Sequence, residues 1–410
     1  MAIVPTVRRN VTPWASAALV ITALLTAGCA GETAGGSAAE AEPSAVPHGY
    51  VEGAKEAAEE QSRLLLNDPR TGDSRVLDLV TGTVRPTARV AGAGRIATDG
   101  RFGFLHTRRG AQVLDGGAWT VDHGDHVHYY RAEIRAVGSL PGGPDARIRS
   151  DTAVTAVTDG SGRTRLYDRT ALEKGEITSL RTLPGVHTGA VVPYAEHLLA
   201  LTERDGATRI SVYDREGRTV ASSPDDRCED PRGDAVTRRG VVIGCADGAL
   251  LVREKDGAFT VERIPYGADV PAAERAADFR RRPGGDTLTA PAGKDSVWVL
   301  DVTDRAWTRV RTGPVVATGT AGEGSPLLVL ETDGALHGYD IATGEQVSRT
   351  EKLLTGAGRS GPVIEVDRSR AYVNDPEGRR VYEIDYNDDL RVARSFDVGI
   401  APHLMTETGR

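Results

Sequence analysis

Three imidazoles and two carboxylates crowd one short stretch, DHGDHVHYY, which holds Asp122, His123, Asp125, His126 and His128. Neutral imidazole is a good ligand for zinc, and a carboxylate can complete a tetrahedral nitrogen and oxygen shell or orient an imidazole from behind. Gly124 permits a tight turn, and if 127–130 is a strand then His126 and His128 share one face of it. Solvated loops also carry such trios, so a site of real affinity calls for a further donor held on a rigid element elsewhere. His187 in LPGVHTGAVV, just ahead of an apolar run, is the first candidate, and His403 in IAPHLMTETGR is the second. His106, His197 and His337 read as strand or turn residues and His48 as part of a tether; none is assigned to the site.

Other chemistries find little footing. The chain has no GxSxG elbow, no HExxH and no glycine-rich phosphate loop, and no glutamate stands beside the histidines as a general base. A formal charge of −8 with no basic stripe argues against nucleic acid as a partner. The expectation is a binding protein and not an enzyme. The alternatives are an extracellular propeller that binds protein or glycan, and a zinc-dependent hydrolase.

The elements that must position these side chains repeat along the chain. A strand ending in aspartate, a polar turn and a second strand recur about every 45 residues, the spacing of one four-stranded propeller blade. The marks are Asp78, Asp115, Asp168, Asp214, Asp301, Asp340 and Asp385, with Lys255 in the copy that lacks the acid. Between them lie apolar stretches such as GRFGFLHT, GVVIGCADG and PLLVLETDG, which read as the strands nearest the axis. Helical periodicity is confined to short turns at 54–65 and 272–279. The fold class is therefore all-β, a β-propeller with eight blades favoured over seven; two stacked sandwiches are the competing arrangement.

The N-terminus sets the compartment. Arg8 and Arg9 precede an apolar run that ends at Cys29 in LTAGC, too short to span a membrane and similar to a bacterial lipobox. Residues 1–28 read as a lipoprotein signal peptide with Cys29 as the lipidated residue, and the alternative is an ordinary cleaved signal. Residues 29–49, rich in Gly, Ala, Ser and Glu, read as a flexible tether, and 50–410 as the propeller. On an exported chain, Cys228 and Cys245 read as a disulfide.

Together, DHGDH at 122–126, the strand-opening His187, CEDPRGDAVTRRGVVIGCADG from Cys228, and the terminal Pro402–His403 pair resemble the AztD-type zinc metallochaperones. That resemblance implies an exported β-propeller that carries Zn2+ as cargo to the solute-binding protein of an ABC importer. It implies zinc binding by His123, His126 and His187, with an aspartate or a further histidine completing the shell. Two positions depart from the family pattern: an aspartate often stands where this chain has His128, and a histidine where it has Arg232. With a lipid on Cys29, the expectation is a monomer tethered to the outer face of the cytoplasmic membrane.

Overall fold

A computed structural model describes residues 51–123, 126–355 and 361–410. The signal at 1–28, the tether at 29–49, Cys29 and Asp125 lie outside the described residues. No helix among them is long and apolar enough to cross a membrane.

Seven four-stranded and two three-stranded antiparallel sheets make up the described chain. Most are simple meanders, and the first strands of successive sheets touch one another, as Leu404–Thr408 touches Arg95–Thr98 and Arg147–Ser150 touches Thr188–Tyr194. The arrangement is propeller-like. One sheet joins the two ends of the chain: Leu404–Thr408 pairs with Arg63–Asn67, Met405 opposite Leu66 and Thr408 opposite Arg63.

Pleating explains the apolar runs. Alternate residues of a strand point to opposite sheet faces, and here both faces are covered by neighbouring sheets. Leu64 and Leu66 pack with Tyr372, Val381 and Phe396 of the preceding sheet, while Leu65 between them packs with Leu105 and Leu114 of the following one. Val241 and Ile243 likewise face Leu199 and Ile210, and Val242 faces Leu288 and Leu300. A strand buried on both faces reads as continuous apolar sequence. These runs, including Phe102–Thr107, Gly240–Cys245 and Leu327–Glu331, are second strands of their sheets. The sequence reading had them nearest the axis. The strands that do lie innermost are more polar and partly exposed, RIAT at Arg95–Thr98 and RIRS at Arg147–Ser150.

The recurring aspartates close the turn into the last strand of their sheets. Asp78 accepts from the Thr81 amide at 2.9 Å, Asp301 from Asp304 at 2.9 Å and Asp340 from Thr343 at 2.7 Å, satisfying amides that the ladder leaves open. Where Lys255 replaces the acid, Asp256 at φ 54° and Gly257 at φ 79° form a two-residue hairpin turn instead. Asp168 caps the one α-helix of the described residues, Arg169–Lys174, which the sequence reading missed. The helical turn expected at 54–65 is absent: Lys55–Ala57 and Arg63–Asn67 are strands. At 272–279 a single 3-10 turn forms over Ala272–Glu274.

Each meander thus has two ends. The aspartate end carries the first-to-second and third-to-fourth turns. The opposite end carries the second-to-third turns and the connections to the next sheet. Cys228 and Cys245 are buried and disulfide-bonded, with Cα atoms 5.1 Å apart, as the sequence reading expected.

Candidate metal centre

In the sheet that begins with Arg95–Thr98, the third-to-fourth connection is enlarged into a hairpin, Ala118–Asp122 paired with Val127–Arg131. Asp115 at its root is nearly inaccessible and does more than close a turn. It accepts from the Gly117 amide at 2.9 Å, from Arg101 at 3.1 Å and from Arg135 at 3.2 Å. Arg101 in turn lies 3.7 Å over the Trp119 ring, and Trp119 stacks on Tyr130 with centroids 5.4 Å apart. Gly117, at φ 68°, lets the chain leave the sheet; a Cβ there would sit 2.6 Å from the Ala132 carbonyl. Thr120 Oγ1 donates to the Gly409 carbonyl at 2.9 Å, tying the hairpin to the C-terminal strand that joins the chain ends.

The tip of this anchored hairpin carries the histidines. The His123 amide donates to the His126 carbonyl at 3.0 Å and closes the turn. His128 stands two residues inside it, opposite Val121. The His123 and His126 rings stack with centroids 4.8 Å apart, and His128 meets both edge-on at 5.4 and 5.0 Å. One nitrogen from each ring falls within 4.8 Å of the others. Tetrahedral zinc with bonds near 2.0–2.1 Å needs nitrogens about 3.4 Å apart, so modest rotamer adjustment brings all three onto one ion. His123 and His126 are exposed and His128 is partly buried. Asp122 is exposed beside His123, in register with Val127.

His128 has a partner that sequence reasoning missed. Glu56 lies on Lys55–Ala57, which adds a third strand to the hairpin and pairs Glu56 with Tyr130. Its Oε1 is 2.7 Å from His128 Nδ1. A carboxylate only accepts, so Nδ1 carries the proton and the Nε2 lone pair is left for a metal. No local signal links Glu56 to His128; the run EGAKEAAEE reads as helix, and only strand pairing places its glutamate at the site.

His187 and His403 are not brought to this cluster. The hairpin sits at the aspartate end, whereas both of these histidines lie on connections to the next sheet, at the opposite end. The His187 amide donates to Gly162 in a second-to-third turn at 2.9 Å, and its Nδ1 is 2.9 Å from Thr164 Oγ1. The ring is buried against the edge of Tyr213, and burial pushes its pKa below the ordinary histidine value. It is a core histidine. His403 precedes Leu404–Thr408, whose far end meets the hairpin through Gly409. Six residues of extended chain separate it from Gly409 by roughly 20 Å.

No family model matches the chain. The zinc chaperone AztD of Citrobacter koseri is 23% identical over 339 residues, which are 78% of this chain and 77% of that protein. The Citrobacter koseri AztD crystal structure superposes with a TM-score of 0.69 at 19% identity, covering 85% of this chain and 98% of that one. The likeness to AztD holds in sequence and in fold. The dihydro-heme d1 dehydrogenase NirN also superposes, with a TM-score of 0.54 at 13% identity, over 86% of this chain and 76% of its own. One fold therefore serves a chaperone and an enzyme, and function must be argued from the site.

Proposed function

We propose that this chain is an extracytoplasmic zinc metallochaperone that hands its ion to the solute-binding protein of an ABC importer and catalyses no reaction. The observation that carries the reading is the cluster of His123, His126 and His128 at an exposed hairpin tip, one nitrogen from each within 4.8 Å of the others. The AztD relative, named a zinc chaperone, supports it. Three protein ligands leave zinc a fourth position open. An acceptor's side chain enters there, and the exposed His123 and His126 let go in turn while His128, held by Glu56, is the last to release. Glu56 orients His128 in this scheme and activates no water.

The proposed shell is His123, His126 and His128, with Asp122 and Asp125 of the same sequence stretch as candidate further donors; His187 and His403 stand outside it. Residues 50–410 form an eight-bladed propeller in this reading, supported by the apolar clusters that link each sheet to the next and the last to the first. Residues 1–28 are the signal, Cys29 carries the lipid and 29–49 form the tether, so that a monomer works at the outer membrane surface. The buried disulfide supports an oxidising compartment.

Equilibrium dialysis against Zn2+ at neutral pH tests the metal, and competition with the acceptor protein tests delivery. Replacing His123, His126 and His128 together is expected to remove the transferable ion. Unchanged uptake and transfer by that variant refutes the proposal.

A further inference from the structure

A second group of donors stands at the opposite end of the fold from the hairpin, on the turn between Leu327–Glu331 and Leu336–Tyr339. Glu331 and His337 are almost fully buried, and Asp333 is exposed on the turn between them. One ligand atom from each falls within 4.8 Å of the other two.

Hydrogen bonding fixes what these groups present to one another. Glu331 Oε1 accepts from the Gly313 amide at 2.9 Å and from the Tyr339 hydroxyl at 2.5 Å. Burial and Glu331 push the Tyr339 pKa up to about 12, so the hydroxyl keeps its proton and donates. The two donors engage both lone pairs of that oxygen. Its Oε2 is turned towards His337 Nε2 at 3.6 Å, beyond hydrogen-bond reach. Gly313 makes that position possible, since a Cβ there would lie 1.8 Å from Oε2. Asp333 uses Oδ1 to accept from the Ala335 amide at 2.9 Å and aims Oδ2 at the same Nε2 at 3.1 Å. His337 Nδ1 is 2.9 Å from Gln346 Oε1, so it is the donor in that contact.

With its proton on Nδ1, His337 directs a lone pair at two carboxylate oxygens. The three ligand atoms converge, and Arg349 reaches the same Asp333 Oδ2 at 2.8 Å. The orientation is that of a metal-ligating histidine, the far nitrogen anchored on an acceptor and the near one free to bind. One imidazole and two carboxylates suit a borderline first-row dication better than calcium, which takes oxygen ligands in greater number.

We infer that Glu331, Asp333 and His337 form a second zinc site, separate from the hairpin and on the other end of the sheets. It does not rest on the reading of the hairpin. Arg349, 2.8 Å from Asp333 Oδ2, neutralises the exposed acid and gives way when the ion enters. Buried Glu331 and His337 supply the enclosed part of the site, and exposed Asp333 closes it.

The experiment uses the full chain in a two-by-two design, with bound zinc measured after equilibrium dialysis and thermal unfolding recorded with and without Zn2+. Wild type is expected to hold two equivalents. The variant lacking His123, His126 and His128 should keep one, along with a zinc-dependent rise in Tm. Adding Asp333→Asn, an exposed change that preserves the core, should weaken that remaining affinity at least tenfold and abolish the Tm rise; Glu331→Gln should do the same. If the triple variant unfolds normally yet takes up no zinc, the inference is overturned. Retention of that ion by Asp333→Asn and Glu331→Gln overturns it equally. The Asp333→Asn change in the otherwise wild-type chain should leave the hairpin's equivalent in place, so failure of the hairpin reading is seen separately.

Discussion

Glu56→Ala offers the most direct probe of how the hairpin holds an ion. The carboxylate touches no metal position, yet at 2.7 Å from Nδ1 it sets the tautomer and orientation of His128. Removing such an outer partner typically costs 10- to 100-fold in metal affinity. Its side chain is 49% exposed and that of His128 is 24% exposed, so water replaces much of the lost hydrogen bond and the lower figure applies: about tenfold, or about 1.4 kcal/mol. Glu56→Gln keeps an acceptor without the charge and should lose less. Competition with a chromophoric chelator measures these constants at neutral pH. In a His128→Ala background Glu56→Ala should add nothing, since the two act through one contact. Equal zinc affinity in wild type and Glu56→Ala, with the fold intact, would refute the idea that Glu56 positions His128. So would an undiminished effect in the His128→Ala background.

Three further outcomes follow from the same geometry. The Cys228–Cys245 bridge closes a 17-residue separation, so replacing both by serine should lower stability by about 3 kcal/mol, read as an earlier midpoint in urea. His106 is buried and held to a pKa of about 3, chiefly by burial and then by Arg95 and Arg149. The unfolded chain takes up a proton near pH 6.5 that the folded one refuses, so this stability is complete above pH 6.5 and is lost at about 1.4 kcal/mol per pH unit as pH falls towards 3. His106→Gln should flatten the difference in urea stability between pH 7 and pH 5, and an unchanged slope would exclude His106 as its source. Deleting 404–410 removes the strand that pairs with Arg63–Asn67 and uncovers Leu64 and Leu66; a cost of at least about 5 kcal/mol should leave a chain that trypsin digests rapidly.

Much of the architecture was legible because its causes are local. Asp78, Asp301 and Asp340 mark turns through their own side-chain bonds, and Leu64–Leu65–Leu66 reads as a strand covered on both faces because pleating alternates its contacts. The spacing of these marks showed the meander and its repeat, and the paired cysteines and the histidine trio were readable in the same way. Which distant residues meet was not readable. Whether a connection emerges at the aspartate end or the opposite one depends on how many strand reversals precede it, and that separates His187 and His403 from the hairpin although all three carry the same side chain. The same folding brings Glu56 from a helix-like run to His128, and turns His337, which reads alone as a strand residue, towards Glu331 and Asp333. Sequence determined the strands and turns, because backbone pleating and turn bonding act over a few residues; the shell around each imidazole was decided by strand direction and sheet order, which act across the whole chain.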